Sequence, residues 1–312
     1  MINKGTRELN NSYFLKLLEK CNLCPRKCFV NRLEGELGFC RASKDVKIAK
    51  VSLHHWEEPC ISGVNGSGTV FFSNCNLKCV FCQNHKISHE DAGKTVSINR
   101  LSEIFLEQQE RGALNINLVT PTHYVPQIIE ALKLAKNKGL NIPILYNSSG
   151  YENIDTIKML RGFIDVYLPD LKYCSDKYAI KYSNAPNYFT FACDAITEMV
   201  SQVGEVKFDA DGIIQKGVII RHLMLPGLLF DSKKIIDYIY NTFNDSVYIS
   251  LMNQYTPMQV AINYPEINKQ VNPNHYDTLI GYCLNLGITK CFIQESGTSS
   301  SAFVPDFDLS GV

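Results

Sequence analysis

The chain reads as an α/β protein: a largely parallel sheet of about six βα units, preceded by a small cysteine-rich lobe. The first observation behind this is a rhythm of apolar, strand-length runs. With residues 69 to 73 as the first, they recur at 115 to 119, 142 to 146, 163 to 168, 217 to 225 and 247 to 252, and a seventh is expected at Cys291-Phe292-Ile293. The second is that helix-period patterns lie between them. Six units are too few for a closed eight-fold barrel, which leaves a partial (β/α)6 TIM-like barrel or an open doubly wound sheet. Periodicity alone does not separate these two.

In chain order, Tyr13, Phe14, Leu17 and Leu18 stand at helical spacing and predict a short amphipathic helix leading to the first cysteines. Residues 46 to 53 alternate in places as a strand would, and residues 62 to 68 form a glycine-rich turn. Gly63, Gly66 and Gly68 make no dinucleotide fingerprint, because no strand precedes them and no helix follows. Leu101, Ile104, Phe105 and Gln108 then predict a helix stopped at Gly112. Pro126 suits the first turn of a second helix, with Ile128, Ile129 and Leu132 on its face and Gly139 as its stop. A third is expected over 231 to 243, capped by Asp231 or Ser232. The organisation expected is an N-terminal metal-binding lobe over residues 1–60 and a core with a C-terminal extension over 61–312.

The 312 residues carry thirty-one basic and thirty-one acidic side chains, so overall charge gives no reason to expect nucleic acid or an anionic membrane as partner. The first twenty residues lack the apolar core of a signal peptide, and no stretch approaches the ~18 apolar residues of a membrane span. The expectation is a soluble, cytoplasmic protein. In that compartment thiols stay reduced, so the twelve cysteines speak for metal or cluster ligation more than for disulfides.

Cys75, Cys79 and Cys82 follow the first strand at a spacing of C-x3-C-x2-C, on a loop made polar by Asn74, Asn76, Lys78 and Asn84. Three thiolates on so short a loop can hold three irons of a [4Fe–4S] cubane and leave the fourth open to another ligand. The alternatives are three buried core thiols or half of a zinc site, and the polar loop argues against a core strand.

The residues after parallel strands collect on one face, where ligands bind. Those tails read Thr120-Pro121-Thr122-His123, Asn147-Ser148-Ser149-Gly150, Asp170-Leu171-Lys172, Arg221-His222 within the fifth strand, and Asn253-Gln254-Tyr255.

The cysteine spacing, with Phe81 just before the last cysteine, resembles the signature of the radical S-adenosylmethionine (SAM) enzymes. The resemblance implies an open partial barrel of about six units. It also implies a [4Fe–4S] cluster on Cys75, Cys79 and Cys82 whose open iron chelates SAM, and reductive cleavage of SAM to a 5′-deoxyadenosyl radical that abstracts hydrogen. SAM then needs a cation, expected from Lys172 or Arg221, and polar contacts, expected from Asp170, Asn147 and Ser148. Phe81 and Tyr255 are candidates to flank adenine.

Within that superfamily, residues 166 to 172 and the Cys79-Val-Phe-Cys82-Gln-Asn84 ending are similar to the pyruvate formate-lyase activating enzymes. This implies an oxidoreductase that acts on a glycyl radical enzyme, with an electron donor such as flavodoxin or ferredoxin. A small-molecule substrate and a non-catalytic scaffold are the alternatives. Two departures mark a divergent branch: residues 119 to 123 hold no Gly-Gly-Glu segment, and Asn147 stands where the activases have Asp.

Cys21, Cys24, Cys28 and Cys40 form the second group, suited to structural zinc or to another iron–sulfur cluster. A metal would staple a lobe too small to stabilise itself by burial. His54-His55-Trp56-Glu57-Glu58 and His123 are weaker candidates, for the active site or for packing.

Overall fold

The computed structural model describes residues 16–295 and 305–312. Tyr13 and Phe14 of the expected N-terminal helix lie outside the described residues, while residues 16–19 are helical.

The sheet holds ten strands: β1 (Val46–His54), β2 (Ser67–Phe72), β3 (Lys94–Val96), β4 (Ile116–Val119), β5 (Ile144–Ser148), β6 (Val166–Pro169), β7 (Lys207–Phe208), β8 (Ile214–Leu223), β9 (Tyr248–Met252) and β10 (Cys291–Ile293). Its order is β10-β9-β8-β6-β5-β4-β2-β1-β3, with β7 pairing β8. Every pair from β2 to β10 along that path is parallel, as the βα rhythm predicts. Among the described residues the terminal strands β10 and β3 do not pair, so the sheet is open. All residues of β2, β4 and β6 are buried, as expected for strands covered on both faces.

Two features were not legible in the rhythm. The first is that β1 and β3 extend the β2 edge in antiparallel fashion. Residues before position 60 are therefore hydrogen-bonded into the main sheet. Residues 305–312 return to the same edge, where the Val51 N–H donates to the Ser310 carbonyl (2.9 Å) and Lys50 Nζ meets Asp308 Oδ1 (3.0 Å).

The helices are α1 (Pro59–Ser62), α2 (His85–Ser88), α3 (Ile98–Glu110), α4 (Val125–Asn137), α5 (Ile154–Met159), α6 (Asp176–Ser183), α7 (Tyr188–Val203), α8 (Leu229–Phe243) and α9 (Pro273–Asn285). Ser97 caps α3 by accepting from the Arg100 N–H, and Pro126 sits in the first turn of α4. The second unread feature is α6 and α7, which fill the crossover from β6 to β8. Three of the buried positions of α7 are not large aliphatic residues but Tyr188, Ala192 and Ala195, which mutes the apolar period. The third helix needs a correction. α8 starts at Leu229, so Asp231 lies in its first turn and does not cap it; its carboxylate accepts instead from the N–H groups of Cys174 and Ser175 (2.9 and 3.0 Å). That bond ties the β6 tail to α8.

Candidate active site

The segment after β2 is bent by Asn74, one of the residue types that tolerate the left-handed region (φ 76°), and its N–H donates to the Ile87 carbonyl (2.7 Å). Further along, the N–H groups of Lys78 and Val80 donate to the carbonyls of Ser183 and Tyr182 at the end of α6. Pinned at both sides, the loop presents Cys75, Cys79 and Cys82 to one end of a cavity of about 250 Å³.

Each sulfur accepts at least one hydrogen bond. The Leu77 N–H donates to Cys75 Sγ (3.4 Å), Ser183 Oγ to Cys79 Sγ (3.0 Å) and Ser88 Oγ to Cys82 Sγ (3.3 Å). Neither serine could be found from sequence, because each reaches the loop from a helix with no local motif. Burial pushes all three thiols up, Cys79 to about 11, so the site favours thiolates only when a cation shares it. Among the described residues no three His, Cys, Asp or Glu side chains converge tightly enough for a single metal ion. Three thiols spread around one end of a cavity suit a cluster, in which each binds its own iron.

The same cavity is lined by all six expected cofactor-binding residues: Phe81, Asn147, Ser148, Asp170, Lys172 and Arg221. Lys172 Nζ pairs with Asp170 Oδ2 at 2.5 Å. Burial works against its charge, but Asp170 and the Cys79 and Cys82 thiolates outweigh burial and hold the ammonium above the usual lysine range. A cation so placed can offset thiolate charge and receive a carboxylate. Ser149 Oγ, on the cavity wall, is buried without a hydrogen-bond partner, and so remains available to a ligand.

Arg221 has a different place. Its guanidinium pairs with Glu57 Oε2 (3.0 Å) and Glu58 Oε1 (3.2 Å), and these two carboxylates outweigh the opposing effect of burial to raise its pKa. Glu57 Oε1 also accepts from Asn117 Nδ2 (2.9 Å) and Asn147 Nδ2 (3.5 Å). In the β1–β2 register, His54 stands opposite Ser67 at the start of β2, so the Glu57 segment leaves the sheet at the end remote from the cysteine loop. Of these, Glu57, Asn147 and Arg221 line the cavity and form a polar floor, in which Glu57 is a carboxylate that the tail after β4 lacks.

His54 and Trp56 line the cavity beside Glu57. His123 does not; it is 2% exposed, its Nε2 donates to the Ser73 carbonyl (2.8 Å), and burial pulls its pKa down to about 3. It is a neutral packing residue, not a substrate contact in the main cavity. Phe81 and Tyr255 pack at 5.9 Å between ring centroids and both reach the cavity. Thr120, also on the wall, holds φ 59°, a region in which a β-branched residue is strained.

Comparison with known proteins gives a consistent result. The profile described as the Radical SAM superfamily matches residues 69–239. An uncharacterized protein of Methanocaldococcus jannaschii is 32% identical over 265 residues, covering 82% of this chain and 71% of that protein. Among solved structures, Streptococcus suis SuiB bound to its precursor peptide SuiA is similar with a TM-score of 0.50 at 14% identity, over 73% of this chain and 48% of that one. The FeFe-hydrogenase maturase HydG from Carboxydothermus hydrogenoformans is similar with a TM-score of 0.50 at 14% identity, over 70% of this chain and 50% of that one. The chain thus spans about half the length of these two structures, and at such identities they speak for the fold alone. Among the described residues no helix is long and apolar enough to cross a membrane.

Proposed function

Because the chain belongs to the radical SAM superfamily, we propose that it is an iron–sulfur enzyme that reductively cleaves SAM and directs hydrogen-atom abstraction from a polypeptide partner. The observation that carries the first part is the joint placement of Cys75, Cys79 and Cys82 with Asp170, Lys172, Asn147 and Ser148 on one cavity. When bound, the [4Fe–4S] cluster and SAM would supply the 5′-deoxyadenosyl radical.

The chain's own residues then have separable tasks. The three thiolates would hold the cluster, while Leu77, Ser183 and Ser88 orient the sulfurs through the bonds described above. Lys172, oriented by Asp170, offers its ammonium to the SAM carboxylate. Asn147 and Ser148 provide amide and hydroxyl groups for the ribose or amino-acid portion. Glu57, paired with Arg221 on the cavity floor, is a carboxylate that a cationic group of a ligand reaching below the thiols would meet. Phe81 and Tyr255 offer ring faces to adenine. The likeness of residues 166 to 172 to the activating enzymes favours a glycine Cα–H of a glycyl radical enzyme as the target, with a flavodoxin or ferredoxin as electron donor.

The test is anaerobic. The chain is loaded with iron and sulfide, given SAM and a strong reductant, and 5′-deoxyadenosine is quantified against Cys79→Ala. No cysteine-dependent product would refute the cleavage. The target is tested with an extract of cells grown in deuterated medium, separated by size. Deuterium entering 5′-deoxyadenosine from the protein fraction supports a polypeptide partner, and deuterium only from the small-molecule fraction refutes it.

A further inference from the structure

The remaining cysteine group surrounds a second cavity. Cys21, Cys24, Cys28 and Cys40 line it together with Arg32 and His123. The backbone turns tightly around this space. Lys27, Phe29 and Arg41, each adjacent to one of these cysteines, hold positive φ (43°, 56° and 62°), where residues with a side chain are uncommon. A Cβ at Gly38 would come within 2.9 Å of Cys28 Sγ, so glycine there lets the chain close over the sulfur. The Phe39 N–H donates to Cys28 Sγ at 3.3 Å, and Arg32 Nη1 stands 4.0 Å from Cys21 Sγ. An N–H donor and a guanidinium beside the sulfurs are contacts that metal-bound thiolates would use.

Arg32 supplies an independent argument. It is 1% exposed, and its guanidinium donates to the carbonyls of Ser43 (from Nε, 3.0 Å) and His123 (from Nη1, 2.7 Å). Among the described residues no carboxylate pairs with it. A buried cation without an anion is costly, and thiolates ligating a metal in this cavity would be the anions within its reach.

The kind of metal follows from spacing. With Zn–S bonds of about 2.3 Å, four sulfurs around one zinc would stand only ~3.8 Å apart. Among the described residues no three Cys, His, Asp or Glu side chains, here or at Cys75, Cys79 and Cys82, are grouped so that they could hold a single metal ion. In a cubane each thiolate binds an iron at its own corner, and the ligands stand further apart around a void. We propose that Cys21, Cys24, Cys28 and Cys40 hold a second, fully ligated [4Fe–4S] cluster, which has no open iron and takes no SAM.

Its position is set by Arg26. The Arg26 side chain lies on the Phe39 ring (3.7 Å to the centroid), its Nε donates to the Asn76 carbonyl (2.9 Å) beside Cys75, and it faces Tyr151 (5.2 Å). One side chain thus spans the two cysteine groups and makes the second cluster a neighbour of the first. The assignment is independent of whether SAM is cleaved.

The experiment uses the full chain, reconstituted anaerobically with iron and sulfide in the presence of zinc. About eight irons and eight sulfides per chain are expected, falling to about four of each in the triple variant C75A/C79A/C82A, which should keep the Mössbauer spectrum of a cubane. One zinc and about four irons in the wild type would overturn the assignment, as would a triple variant that folds and holds no iron. If the triple variant does not fold, the wild-type count decides alone. With both clusters reduced, electron paramagnetic resonance of the wild type should show spin coupling absent from the triple variant. Two uncoupled signals would overturn the placement.

Discussion

Glu152 is fully buried, and Thr122 Oγ1 (2.6 Å) and the Tyr146 hydroxyl (3.4 Å) donate to its carboxyl oxygens. Burial outweighs these bonds and pushes its pKa from an ordinary 4.5 up to about 8. Between those two values the folded chain keeps a proton that the unfolded chain has released, so stability is full below pH 4.5 and falls as pH rises toward 8. Each pH unit in that window costs about 1.4 kcal/mol, hence about 2.7 kcal/mol between pH 5.5 and 7.5 from this one group. Glu152→Gln removes the titration and keeps the shape; its amide oxygen can still accept from Thr122. Urea unfolding of both proteins at pH 5.5, 6.5 and 7.5 reads the effect as a difference, in which other titrating groups cancel. The variant should gain on the wild type steadily with pH, by about 2.7 kcal/mol across the range. Parallel pH profiles would refute the reasoning, because Glu152 would then be ionised in the folded protein throughout.

Three further outcomes are expected. Lys172→Ala should weaken SAM binding to the cluster-loaded protein by ~1.5 to 3 kcal/mol, roughly 10- to 150-fold by equilibrium dialysis, and unchanged affinity would remove Lys172 from the site. Ser183→Ala deletes the bond to Cys79 Sγ. Since a donor favours the more negative reduced cluster, a differential of about 0.7 to 1.4 kcal/mol should lower the reduction potential by ~30 to 60 mV in a redox titration; a rise would contradict this. Thr120→Gly relieves a positive φ (59°) and should stabilise the fold by about 1 kcal/mol after the entropic penalty of glycine. A loss of stability would mean that the threonine side chain anchors the wall.

The parallel strands were legible because strands covered on both faces are largely apolar; β2, β4 and β6 are buried throughout, and only Ser67, Gly68, Thr69 and Asn117 interrupt their apolar runs. The cysteine loop and the Asp170-Leu171-Lys172 tail were legible because the fold class dictates where strand ends gather. Three other parts depend on tertiary packing. Ser88 and Ser183 are unremarkable helical serines until the loop lies against them. Arg221 reads as a free cation until Glu57 and Glu58 arrive on the segment after β1, a strand whose antiparallel pairing with β2 and β3 no period announces. Asp231 has the residue type of a cap, yet its carboxylate serves backbone donors on another segment.

The floor at Glu57 enters from a different segment, and from the opposite end of the sheet, than the loop that carries Cys75, Cys79 and Cys82. Depth and reactivity are therefore written in separate stretches of sequence. Lengthening or trimming residues 55–58 would act as a ruler, setting how far a ligand reaches below the thiols while the thiols stay in place. A lineage, or a designer, could change which molecules fit without altering the loop that makes them reactive.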